Sequence, residues 1–215
     1  MNKLFNPDNP VFEFLEKVFN LMIANVLFIV CSIPVFTIGA SLTALFKITQ
    51  DVVLGNDKGV VKRFFDAFKQ NFKQATIAWI VVFLFLCGLG LNLFLVSVNS
   101  KGMPSQIFKV LIQILMFVVV GLASYIFPLI ARYDNTLKQH YRNSIVLFLM
   151  KFPKTLLMML LNTLIFWIPY FSMEVFISTF VFWLVIGFGF VCYIDTELLH
   201  SVFAQLEAPD QDKDE

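Results

Sequence analysis

Long apolar runs separated by short basic connections set the pattern of this chain. A hydrocarbon core of about 30 Å takes roughly 20 apolar residues at a rise of 1.5 Å each. Segments 74–98, 105–131, 154–171 and 175–195 meet that length or come close. The third is short, and Lys154 at its start can reach the headgroups by snorkelling.

The N-terminal region predicts a further helix over 11–33. Asp8 or Asn9 can cap it, with Pro10 at its first position. Pro34 has no N–H and disfavours helix at Ile33, so the chain breaks at PVFTIG. The next run, 38–54, is ambiguous. Gly39, Ala40, Thr43 and Ala44 allow close helix packing, whereas Lys47, Gln50 and Asp51 are too polar for a lipid-facing surface. Either it crosses inside the bundle, giving six spans, or it completes a kinked first span, giving five; the crossing is the preferred expectation. The fold class is therefore all-α, a polytopic membrane bundle with one domain over 1–200 and an acidic tail over 201–215.

Residues 60–73 have their own period. Val61, Phe64, Phe65, Phe68 and Phe72 share one face, opposite Lys62, Arg63, Asp66, Lys69 and Lys73, as in an interfacial amphipathic helix that docks on lipid or a partner. A faint echo links FKQNFKQATI (68–77) to FLMKFPKTLL (148–157), and as a repeat it would pair 38–54 with 105–131.

Composition sharpens this picture. Of 215 residues, 59% are hydrophobic and 14% charged, and 27 are Phe; soluble domains carry about 25% charged residues. The net charge of +1 offers no footprint for nucleic acid. Position matters more than the sum. Lys47, Lys58, Lys62, Arg63, Lys69 and Lys73 gather in one connection, and Arg132, Lys138, Arg142, Lys151 and Lys154 in another. The positive-inside rule places both, and the C-terminus, in the cytoplasm. The N-terminus lacks a cleavage pattern, so the first apolar run is expected to stay.

Candidate chemistry is sparse. Cys31, Cys87 and Cys192 lie in apolar runs without metal or redox spacing. His140 and His200 form no His-Glu-x-x-His pattern, and no Gly-rich phosphate loop occurs. No cofactor, metal site or catalytic pair is expected, and the chain does not read as an enzyme. The middles of the four clear spans hold no Asp, Glu, Lys or Arg. Asn25, Asn92, Gln113 and Asn162 read as interhelical hydrogen-bonding groups. At the inner rim, Arg132 is expected to pair with Asp195 or Glu197.

The stretch CSIPVFTIGASLTALFKITQDVVLGNDKGVVKRFFDAFKQNFKQATIAW (31–79) resembles the signature region of the YesL family. The matching positions are Asn25, Pro34, Thr37, Gly39, Ala40, Thr43, Ala44 and Leu45, then Phe64, Phe65, Phe68, Asn71 and Phe72. A second likeness lies in 127–155, at Pro128, Arg132, Asp134, Asn135, Lys138, Asn143 and Pro153. The resemblance implies a small, multi-pass protein of a bacterial cell membrane, of uncharacterised function and with no catalytic residues to carry over. It also implies an accessory or regulatory role beside a carbohydrate ABC importer, with transporter subunits and the bilayer as partners. Contact through the small face at Gly39–Ala44 and the helix at 60–73 is the expected mode. An independent transporter or channel is the alternative.

Overall fold

The computed structural model describes residues 10–56, 58–99, 102–171 and 173–207. Among the described residues every regular element is a helix, and there is no strand. Helix α1 spans Pro10–Cys31, a 3-10 turn Val35–Thr37, α2 Ile38–Val53, α3 Val60–Asn99, α4 Met103–Arg132, α5 Leu137–Met150, α6 Phe152–Phe171 and α7 Met173–Phe182. A π turn at Trp183–Gly187 leads into α8, Phe188–Glu207.

Pro34 ends α1 as its chemistry dictates. The Thr37 hydroxyl then donates towards the Cys31 and Pro34 carbonyls, each 2.6 Å away, and closes the turn. The chain re-enters the bundle as α2, the most enclosed helix. Twelve of its 16 residues are buried, between α1, α3, α4 and α8. Gly39 is what permits this: a Cβ there would lie 2.3 Å from the Ala75 carbonyl oxygen on α3. Gln50 on α2 donates to the Pro128 carbonyl on α4 at 3.0 Å, so its polar end is satisfied within the protein.

Helix α3 departs from the expectation of a separate interfacial helix at 60–73. It is one helix of 40 residues. The buried residues Phe64, Ala67, Ala75, Ala78 and Val82 form a single stripe that stays in phase across residue 73. No Gly or Pro falls between Val60 and Val82, so the amphipathic segment is the first third of a spanning helix.

The proposed repeat fails on the same ground. Residues 68–77 lie within α3, whereas 148–157 straddle a 104° bend between α5 and α6. Lys151 leaves helical geometry there, and Pro153 follows two residues later. At the other end of α5, Thr136 and Gln139 form a reciprocal capping box.

Helices α1, α3, α4 and the α7–α8 unit are long and apolar enough to cross a membrane, and the bent α5–α6 pair makes a fifth candidate. Outer faces expose large apolar side chains such as Leu84, Phe94, Phe108 and Ile114. In water such a surface would be a continuous sticky patch; in lipid it is solvated. The chain is a multi-pass helical membrane protein. Four or five helices thus qualify as spans on length and composition; α2, at 16 residues and about 24 Å, is too short for a lipid-exposed crossing and is enclosed by the others.

The last helix also runs further than expected. A span ending at 195 and a tail from 201 give way to a helix reaching Glu207, because Leu199, Val202 and Phe203 continue the buried face against Tyr125, Leu129 and Leu147. The rest of the acidic tail lies outside the described residues.

Candidate functional site

Polar side chains meet inside the bundle where α1, α2, α6 and α8 converge. The first knot is the π turn. Five consecutive residues of wide pitch misalign the backbone ladder, and in a membrane the misaligned groups need partners from the protein. Asn25, fully buried on α1, supplies them. Its Nδ2 donates to the carbonyls of Trp183 at 3.2 Å and Leu184 at 2.8 Å, and its Oδ1 accepts from the Gly189 N–H at 2.9 Å. The spacing of α1 from α8 is set by Gly189, where a Cβ would sit 3.0 Å from the Leu21 carbonyl oxygen.

The second knot lies further along α8. Asp195 is fully buried. Its Oδ2 accepts from Asn162 Nδ2 on α6 at 2.7 Å, and its Oδ1 has no hydrogen-bond partner. Among the described residues no Lys or Arg stands in ion-pair range of it. Hydroxyl pairs flank it. Thr196 meets Thr49 of α2 at 2.8 Å, and Tyr125 of α4 meets Thr155 of α6 at 2.7 Å. An unpaired carboxyl in a dry interior is expensive, and such groups inside membranes are retained for function far more often than for packing.

A cavity of about 180 Å³ reaches Asn162, the partner of this carboxyl, and is lined by Phe28, Leu42, Leu161, Asn162, Trp183, Phe188, Val191 and Cys192. Val191 and Cys192 lie one turn before Asp195 on the same face of α8. The cavity thus joins the two knots, with the π turn at one end and the Asn162–Asp195 pair at the other.

At the end of α4 Arg132 departs from expectation. It forms a two-pronged pair with Glu207, at 2.7 and 2.9 Å, rather than with Asp195 or Glu197. The helix continues past 195 and carries Glu207 back to α4, while Asp195 turns inward. Glu197 instead accepts from Tyr193 at 2.9 Å. The Tyr133 hydroxyl donates to Glu207 at 2.8 Å, and burial together with that bond pushes its pKa up to about 12. Arg63 reaches Asp51 at 3.2 Å and Asn56 at 2.8 Å, clamping the turn between α2 and α3. Lys154 donates to the Leu198 carbonyl at 2.9 Å and to Ser201, tying α6 to α8.

The other singled-out positions are structural. Pro34 and Thr37 shape the first turn, and Gly39, Ala40, Thr43 and Ala44 are buried against neighbouring helices of the same chain. That small face is therefore consumed internally and offers no surface to a partner. Phe64 is buried and Phe68 half-buried against the same core. Asn71 donates to its own helix at Ala67, Asp134 accepts from Gln70 at 3.5 Å, and the Asn135 carbonyl accepts from Gln74 at 3.1 Å. Asn92 bonds within its own helix, to Gly88. His140 is on the buried face of α5 and His200 is exposed on α8. Among the described residues no three His, Cys, Asp or Glu side chains group as metal ligands.

The model of a family described as "Protein of unknown function, DUF624" matches residues 21–93, from the middle of α1 through most of α3. No curated protein and no solved structure matches the chain. The family likeness therefore covers Asn25, α2 and the α2–α3 contact, and stops short of Asn162 and Asp195.

Proposed function

We propose that this protein is a non-enzymatic accessory or regulatory component of a bacterial cell membrane, of the YesL type, acting beside a carbohydrate ABC importer. The observation that supports partner binding is the length of α3. Forty residues make a rod of about 60 Å, roughly twice the hydrocarbon thickness. One end must stand clear of the bilayer, and it presents exposed Lys62, Lys69 and Lys73. In this reading those lysines face the cytoplasm with the C-terminus, α2 makes the sixth crossing inside the bundle, and the basic end docks a transporter subunit. Purification from native membranes in mild detergent should recover importer subunits with the wild type and lose them with a K62E/K69E/K73E variant. A lone species at native expression, with sugar uptake unchanged on deletion, overturns it.

A second reading, an independent small-solute transporter, draws on the unpaired buried carboxyl of Asp195. Reconstituted liposomes that show solute flux, lost in Asp195→Asn, would favour it over the first.

A further inference from the structure

We propose that the cavity between α1, α2, α6 and α8 is a binding site for a small organic ammonium ion. Three aromatic side chains wall it. Phe28 and Phe188 stand 5.3 Å apart between ring centroids, and Trp183 and Phe188 5.7 Å. Ring faces attract a desolvated cation, and clusters of them are the usual cage for alkylated ammonium groups.

The polar end has the matching sign. Asn162 spends its NH₂ on the Met158 carbonyl at 2.8 Å and on Asp195 at 2.7 Å. What the amide leaves to a ligand is therefore its carbonyl oxygen, an acceptor. Behind it stands the Asp195 carboxyl, buried, with Oδ1 unpartnered. The groups around that carboxyl are neutral: Thr49 on α2, Tyr125 on α4, Thr155 on α6 and Cys192 on α8. Among the described residues no Lys or Arg stands within ion-pair range of Asp195, so a bound cation would be the charged partner of this carboxyl.

Size and lining choose the kind of cation. Calcium and magnesium take six or more oxygens, and this cavity offers Asn162 and, behind it, Asp195, among carbon walls. A volume of about 180 Å³ holds a few heavy atoms beyond an ammonium centre. Six of the eight lining residues are only half-buried, so the cavity communicates with the outside of the bundle. The inference goes beyond both functional readings, since the ligand can be sensed or carried.

The test uses the full chain, purified in detergent, with tetramethylammonium and propylammonium as probes and tert-butanol as an uncharged control of similar bulk. Binding is followed by calorimetry and by the fluorescence of Trp183 in a W79F/W167F background. Saturable binding of an ammonium probe is expected, with tert-butanol inert. Asp195→Asn should weaken it about tenfold or more, and Phe28→Leu several-fold. Phe28→Leu leaves every hydrogen bond of the site in place, so it decides the matter where Asp195→Asn does not fold. Absence of saturable binding by the folded wild type, equal binding of tert-butanol, or full affinity in both variants overturns the site.

Discussion

The Asn25 side chain and the Gly189 backbone N–H meet at 2.9 Å across α1 and α8, and the same amide holds the carbonyls of Trp183 and Leu184. One side chain thus satisfies three backbone groups around an irregular turn. Asn25→Leu keeps the size and removes all three bonds. Each orphaned buried group costs about 1–3 kcal/mol, so a marked fall in thermal unfolding temperature in detergent is expected. A variant as stable as wild type would mean that the turn does not depend on this amide.

Gly39 and Gly88 make a matched pair of substitutions. Alanine at 39 would place Cβ 2.3 Å from a backbone oxygen of α3, and backbone cannot swing aside, so α2 and α3 must part. Severe loss of folded protein is expected. Alanine at 88 meets nothing within 4 Å and exchanges a poor helix former for the best, a gain of up to about 1 kcal/mol. Both proteins are compared by yield and by melting temperature. Equal behaviour at the two sites would contradict the packing described.

Arg132 and Glu207 should behave as a coupled pair. Either single reversal, Arg132→Glu or Glu207→Arg, sets like charges against each other and loosens the end of α8 from α4. The double reversal should recover part of the loss. Partly exposed pairs contribute little, up to about 1 kcal/mol, so the readout is a double-mutant cycle rather than survival. A coupling of zero, or restoration instead by a variant at Glu197, would point to another partner.

Crossing by α2 is a matter of topology, and membrane-impermeant thiol labelling measures it. In a background without native cysteines, Ser100→Cys should react from outside intact cells and Asn6→Cys should not. Reaction at both sites would mean that α2 turns back without crossing.

Much of the helical architecture is legible in the sequence because lipid imposes a length rule that a one-dimensional scan can read. Pro34 ends α1 where its missing N–H requires, and the small residues of 38–54 mark an inner helix. The misreadings arise where tertiary contact overrides local polarity. Residues 60–73 look interfacial because Lys and Arg line one side, but their Phe and Ala face continues unbroken into Ala75 and Ala78 and holds the helix straight. Asp195 looks like a rim residue because Glu197 and His200 follow it, and only the continuing period of Leu199, Val202 and Phe203 reveals that the helix goes on and that Asp195 faces inward. Asn162 is readable as a bonding group, though its partner on α8 is not. The π turn leaves no mark of its own, since WLVIG is ordinary helical sequence.

That turn also works as a phase adjuster. One residue adds about 100° of rotation in a regular helix, so the surplus absorbed at Trp183–Gly187 sets the compass bearing of every side chain downstream. Were the turn to relax to regular pitch, the whole of α8 would rotate as a unit, carrying Cys192, Asp195 and Thr196 toward the lipid and bringing others inward. Five residues near one end of the rod therefore decide which chemistry the bundle keeps for itself.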